Sequence, residues 1–254
     1  MLAGGSSLAA LLEVAKAAAA AGAAVLEGNA SVVLDVRVKG ELGNLVTDVD
    51  LQAERSIRGV LTAQRPADTV CGEELPDHAG EGPIRWVIDP LDGTTNYSRR
   101  IPFYCSSVAA QEAGTGRWLV GVVHAPELRR IYWAGNGLGA WLTRGSGKDI
   151  RLDGPHRDPQ TLLLGMGLSY DPRQRAGQLA TLPEIMKDYT DLRRLGSAAL
   201  DLCLAADGTL DGFIEADLFE YDWAAGALIA EEAGMQVTRP DSTGGEVRAL
   251  PARI

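Results

Sequence analysis

WVIDPLDGTTN, residues Trp86–Asn96, carries an apolar run straight into two carboxylates three residues apart, Asp89 and Asp92. The run IRWVID that leads into it has the pattern of a buried strand, so both acids hang on the end of a strand. A plain turn needs one Asp and one Gly. Two acids flanking Pro90-Leu91 are aimed at one point, and they repel each other unless a cation lies between them. Gly93-Thr94-Thr95-Asn96 then offers backbone N–H groups and hydroxyls of the kind that suit a phosphate.

Other acids lie at comparable places. Glu73 and Glu74 end the short strand DTVCGEE, and Asp222 stands immediately before the apolar helix WAAGALIAEEAG. Strand ends and helix starts are where α/β proteins gather ligands. Each feature alone has an ordinary role: a helix cap for Asp222, a solvated loop for the Glu pair, a common turn for Asp-Gly. Taken together they form a set of hard oxygen donors suited to Mg²⁺ or Mn²⁺ rather than Zn²⁺.

Outward from the motif, 254 residues suit one large domain or two intimately packed halves, and 46% hydrophobic and 23% charged residues are ordinary for a globular core. A net charge of -10 argues against nucleic acid or an anionic membrane surface as partner. Cys71, Cys105 and Cys203 lack metal-finger spacing and read as free thiols of a cytoplasmic protein. His78, His124 and His156 lack ligand spacing and read as surface or core residues.

The N-terminal apolar stretch has no basic leader and carries Glu13, Lys16 and Glu27. Leu8, Leu11, Leu12, Ala15, Ala18, Ala19, Val25 and Leu26 share one helical face, thinned at Gly22, between a cap at Ser7 and a stop at Gly28. This is the pattern of an amphipathic helix packed on a core. A strand over Ser31–Gly40, a helix opened by Asp48 or Asp50 and running to about Gln64, and an antiparallel meander after the motif follow. Alternating strands and helices fill the rest. The expected organisation is a single domain, residues 1–254, with an α+β half (about 1–146) and an α/β half (about 147–254).

GEE, DPLDGTTN and YDWAAG, in that order, resemble the inositol monophosphatase family of Mg²⁺-dependent, Li⁺-sensitive phosphatases. The long pattern is matched throughout Trp86–Asn96, and the short one is matched with Tyr221 in place of the usual Trp. NLVTDVDLQAE and GSAALDLCLAADGTLDGFIEA align as well, so the resemblance spans about Lys39 to Met235. It implies an α+β fold of layered αβαβα sandwich type, usually a homodimer, with two to three Mg²⁺ ions, Mn²⁺ as a substitute, and a small-molecule phosphate ester as substrate.

The resemblance also implies roles. Glu73 and Asp89, with the Leu91 carbonyl, bind a first metal; Asp89, Asp92 and Asp222 bind a second; Glu73 touches a third, weakly held ion. Thr94 and Asp50 orient the attacking water, and the Gly93 and Thr94 N–H groups hold the phosphate. Gly196, Ser197 and Ala198 line the substrate pocket, and Glu215, seven residues before Asp222, accepts bonds from substrate hydroxyls.

Two features depart from the family pattern: Asn44 stands where Asp is common, and the C-terminal stretch GGEVRALPARI stops early. Lys39 matches a mobile-loop lysine. Glu215 favours a polyol such as inositol 1-phosphate. Histidinol phosphate, fructose 1,6-bisphosphate, NADP and 3′-phosphoadenosine phosphates are the alternatives. Arg173, Arg175, Arg193 and Arg194 read either as contacts to a second phosphate or as solvated and salt-bridged groups. A non-catalytic regulator that keeps the metal fold is a further class, disfavoured because Asp50, Glu73, Asp89, Asp92, Thr94 and Asp222 are all present.

Overall fold

A computed structural model describes residues 7–30, 36–38, 45–155, 160–240 and 245–252. Lys39, Asn44 and His156 lie outside the described residues. The chain runs α1 (Leu8–Asn29), β1 (Val36–Val38), β2 (Leu45–Thr47), α2 (Asp48–Gln64), β3 (Thr69–Gly72), β4 (Ile84–Asp92) and α3 (Thr94–Ser98). The meander is β5 (Cys105–Glu112), β6 (Trp118–Ala125), β7 (Arg130–Gly135), β8 (Gly139–Arg144) and β9 (Ile150–Leu152). The remaining elements are β10 (Leu163–Met166), α4 (Pro172–Ile185), β11 (Asp191–Arg193), α5 (Ala198–Ala206), β12 (Gly212–Ala216), α6 (Glu220–Glu232), β13 (Gln236–Thr238) and β14 (Glu246–Leu250).

Seven strands form one sheet in the order β3-β4-β5-β6-β7-β8-β9. Its β3–β4 pair is parallel and the rest is antiparallel, as the Gly-rich turns of the meander predict. The sheet keeps its last strand until Leu152. Five strands form the second sheet in the order β11-β10-β12-β14-β13. There β10 runs parallel to β11 and β12, while β14 is antiparallel to β12 and β13.

Helices α1 and α2 cover one face of the large sheet through Leu11, Ala15, Ile57 and Leu61, which meet Trp86, Ile88, Val108 and Val122. Helices α5 and α6 fill the space between the two sheets, where Leu200, Trp223 and Leu228 pack with Val87, Val123, Tyr132, Phe213 and Val247. Helix α4 is the peripheral layer and buries no side chain fully. Apolar faces stacked in this sequence give an αβαβα sandwich.

Local chemistry sets the ends of the elements, and two differ from the sequence reading. Helix α2 begins at Asp48 and ends at Gln64, as read from the sequence; Thr47 caps it and Asp50 at the third helical position completes the capping box. Asp222 is likewise inside α6: its carboxylate accepts the Phe219 N–H at 2.6 Å, so the helix begins at Glu220. Helix α1 continues one residue past Gly28 to Asn29. Gly22 is no thin spot either. A Cβ there would fall 2.4 Å from Ser106 Oγ on β5, so the glycine lets the helix press onto the sheet. By length and composition α1 could cross a membrane, yet nine of its residues are buried against the core. The strand β14, with Val247 and Ala249 inward at 0% exposure, was not expected from the sequence.

Candidate active site

Strand alternation decides where Asp89 points. On β4, Trp86 and Ile88 pack under α1 and α2, whereas Val87 packs against the α5–α6 layer. Asp89 shares the Val87 face and turns toward α6, whose first turn carries Asp222. The ladder to β5 is irregular between Asp89 and Asp92, which brings the second acid to the same side. Glu73, Asp89, Leu91, Asp92, Gly93, Thr94, Gly196, Ala198, Glu215 and Asp222 all line one cavity of about 340 Å³. Asp50 and Ser197 stand behind that wall, 0% and 1% exposed.

Asp50 is held by the Thr47 N–H at 2.8 Å and the Thr47 hydroxyl at 2.5 Å, both on Oδ2. Its Oδ1 lies 3.3 Å from Thr94 Oγ1, which is also 3.1 Å from the Leu91 carbonyl. A hydroxyl has one proton, so Thr94 donates to one of these acceptors at a time. Asp92 Oδ2 accepts from Ser197 Oγ and from Ala199 N, each at 2.7 Å. Ser197 therefore reaches the site through Asp92 and at the same time caps α5. Gly93 has φ +99 and precedes α3, whose first N–H groups have no partner within the helix.

The opposite wall is built by β12, the loop after it and the loop after β10. A Cβ on Gly167 would lie 1.7 Å from Glu215 Cδ, so the glycine makes the space that Glu215 occupies. Ser169 donates to Asp217 at 2.5 Å, and Asp217 has φ +70, a left-handed backbone uncommon outside glycine. Asn96 joins the walls: its Nδ2 donates to Phe103 O and Leu195 O, both at 2.8 Å. A side chain on Gly196, at φ +92, would meet that amide at 3.1 Å and Arg194 Nη1 at 2.7 Å. Of the four arginines considered above, Arg193 pairs with Asp191 and Arg175 donates to the Ser169 and Tyr170 carbonyls. Arg194 reaches the cavity.

Among the described residues on the wall, Glu73, Asp89, Asp92, Asp171, Glu215, Asp217 and Asp222 face a single cation, Arg194. Burial raises the Asp89 carboxyl well above the ordinary range, and Glu73, Asp92 and Asp222 push it the same way. Burial raises Asp222 similarly, with Glu73 and Asp92 adding to it. Asp92 is lifted by burial to about 6 despite its bonds from Ser197 and Ala199. Burial takes Glu215 to about 8, against the pull of Arg194. Such a concentration of negative charge is a strong attraction for cations. Among the described residues no three of these groups form a ready-made metal cage, so the wall is a donor set with hard oxygens rather than a closed coordination sphere. That donor set fits Mg²⁺ or Mn²⁺ in chemistry and charge.

Sequence reasoning missed Asn96 as a tie between the walls and Ser197 as a support for Asp92. The signal for Asn96 was its place in the motif, two residues beyond Thr94. Nothing local to Ser197 announces Asp92, which is 105 residues away. The cysteines are free, with Cys105 and Cys203 buried. His78 is exposed and His124 half-buried.

Carboxylates at the ends of distant elements, a hydroxyl backed by a buried Asp and a glycine-opened turn define a phosphatase-type site of the layered α+β class. The chain belongs to the inositol monophosphatase family: the family model matches residues 7–252. Members of the family act on small phosphate esters and use divalent metal ions. The inositol-1-monophosphatase of Mycobacterium leprae is 40% identical over 219 residues, covering 82% of this chain and 73% of the relative. The Nus factor SuhB of Salmonella typhimurium is 37% identical over 214 residues, covering 83% and 77%. The solved structure of Mycobacterium tuberculosis SuhB aligns with a TM-score of 0.81 at 37% identity, covering 96% of this chain and 92% of that one.

Proposed function

We propose that the protein is a Mg²⁺-dependent phosphomonoesterase that hydrolyses a small polyol phosphate, inositol 1-phosphate foremost. The observation that supports this best is the shared wall: Glu73, Asp89, Asp92 and Asp222, from three distant segments, face one cavity with the Gly93–Thr94 turn. Glu73, Asp89 and the Leu91 carbonyl would hold one ion, and Asp89, Asp92 and Asp222 a second, with Glu73 near a third. The chemistry such ions supply is a lowered pKa for water and neutralisation of the departing alkoxide.

The chain's own groups do the positioning, which is most of what phosphoryl transfer demands. Asp50, fixed by Thr47, accepts the Thr94 hydroxyl proton; Thr94 Oγ1 is then an acceptor that fixes the orientation of the attacking water. The Gly93 and Thr94 N–H groups, at the start of α3, hold phosphate oxygens. Glu215 and the Gly196–Ala198 segment face the alcohol side of the ester. Glu215 would accept hydrogen bonds from the polyol hydroxyls. No covalent enzyme intermediate is needed. Cytoplasmic location and a homodimer complete the reading by family likeness.

A non-catalytic regulatory role is the second reading, favoured by the relative named Nus factor SuhB. Phosphate release from inositol 1-phosphate, with and without Mg²⁺, separates the two. Metal-dependent turnover supports the enzyme, and none with any ester of a panel covering histidinol phosphate, fructose 1,6-bisphosphate, NADP and 3′-phosphoadenosine phosphate contradicts it.

A further inference from the structure

Helix α2 places a second buried acid one turn after Asp50. Glu54 is 0% exposed and does not line the cavity. Its Oε2 accepts the Glu74 N–H at 2.7 Å, and its Oε1 accepts the Leu75 N–H at 3.2 Å. Arg58, one turn further along, donates Nε to Oε1 at 2.8 Å and Nη2 to the Leu75 carbonyl at 3.1 Å. The segment after Gly72 is thus gripped at its N–H groups and at a carbonyl. Gly72 permits the approach: a Cβ there would lie 2.4 Å from Glu54 Oε1.

The segment so gripped carries Glu73 and leaves β3 without regular structure of its own. We propose that Glu54 is a positioning residue that fixes Glu73 for metal binding, with Arg58 holding the Glu54 carboxylate in place. This rests on the metal-site reading above. A purely structural staple between α2 and β3 is the competing account. A buried ion pair is a weak stabiliser, since desolvation offsets much of its attraction, and apolar side chains would join helix to strand as well. The bonds of Glu54 fall instead on the two N–H groups that follow Glu73. The Glu54–Arg58 pair is neutral as a unit, so its action on the site is geometric. Helix α2 then supports two groups of the large-sheet wall, Thr94 through Asp50 and Glu73 through Glu54.

The test is calorimetric titration of Mn²⁺ into metal-free wild type, Glu54→Gln and Glu54→Asp, beside thermal midpoints and steady-state kinetics at graded Mg²⁺. Replacement of groups that orient metal ligands costs roughly 10–100-fold in affinity. Glu54→Gln is expected to weaken Mn²⁺ binding by about that factor, raise the Mg²⁺ needed for half-maximal rate in parallel, and regain most of kcat at saturating Mg²⁺ with substrate KM unchanged. Glu54→Asp, which keeps the charge at shorter reach, is expected to fall between and provides the reading if the Gln variant does not fold. A variant that folds, melts lower and binds Mn²⁺ as wild type does overturns the proposal and leaves the staple. Wild type that binds no Mn²⁺ overturns the metal-site reading itself, a separate result.

Discussion

The two walls of the cavity are built differently. On the side of the large sheet, Asp50, Asp89 and Leu91 are 0–1% exposed, and each is fixed by main-chain geometry or by short hydrogen bonds. On the side of the small sheet, Glu215, Ala216 and Asp217 are half-buried, and the loops that carry them rely on one left-handed residue and on a glycine that clears space. On the proposed function, the first wall is where charge would be placed to a fraction of an ångström, as phosphoryl transfer requires. On the same reading the second wall would need only to fit an alcohol. The reaction would thus be set in the fully buried wall and the choice of ester in the half-buried one, which substitution can reshape.

The comparison breaks first at Asp89. Asp89→Asn removes the carboxylate shared by both candidate ion positions, and kcat for inositol 1-phosphate should fall by roughly 10²–10³-fold or more. Full turnover in this variant would mean that the buried wall does not carry the reaction. Thr94→Val tests the same wall more gently. It keeps the shape, removes the hydroxyl held by Asp50, and should lower kcat by about 10²-fold with KM little changed. A KM effect alone would move Thr94 from the reaction to binding.

The second wall is sharpened by Gly167→Ala. The new Cβ meets the tip of a flexible side chain, so the protein relaxes by displacing Glu215 rather than by unfolding. KM for a polyol phosphate should rise about tenfold, a loss of roughly 1–2 kcal/mol, while a simple aryl phosphate is turned over as before. Equal losses on both substrates would place Glu215 in the chemistry.

The smallest effect is on stability. Glu215 has its pKa raised by burial from 4.5 to about 8. Below pH 4.5 it is protonated folded and unfolded and contributes no difference. Between pH 4.5 and about 8 the unfolded chain releases the proton while the folded one keeps it, so this group makes stability fall as pH rises. In metal-free protein the thermal midpoint of Glu215→Gln should therefore gain on wild type by a few degrees across that window. A constant difference would show that Glu215 titrates normally.

The same contrast explains what could be read in the sequence. The strand into WVIDPLDGTTN, the meander and the central apolar helices announce themselves by period and by turn residues, because burial on a sheet face or helix face leaves a local pattern. The acids of the first wall were legible for the same reason, since they lie at strand and helix ends. The supports were not. Glu54 reads as one more helix charge until Val49, Ala53, Ile57 and Leu61 are recognised as the buried stripe, which sets Asp50 and Glu54 one turn apart along its flank. Asp222 reads as a cap because an acid directly before an apolar helical run is the ordinary N-cap pattern, whereas Phe219, Glu220 and Tyr221 give no local sign that the helix has already begun. Strand β14 escaped because five residues with small inward side chains make little hydrophobic signal.

The central claim is that these distant acids close around divalent ions. Crystals soaked in Mn²⁺ and measured at the manganese absorption edge test it most directly. Anomalous peaks in the cavity, one touched by Asp89, Asp92 and Asp222 and another by Glu73, Asp89 and the Leu91 carbonyl, are the result the account predicts. A fully soaked crystal with no peak there, or with peaks that Asp222 and Asp89 do not touch, would contradict it.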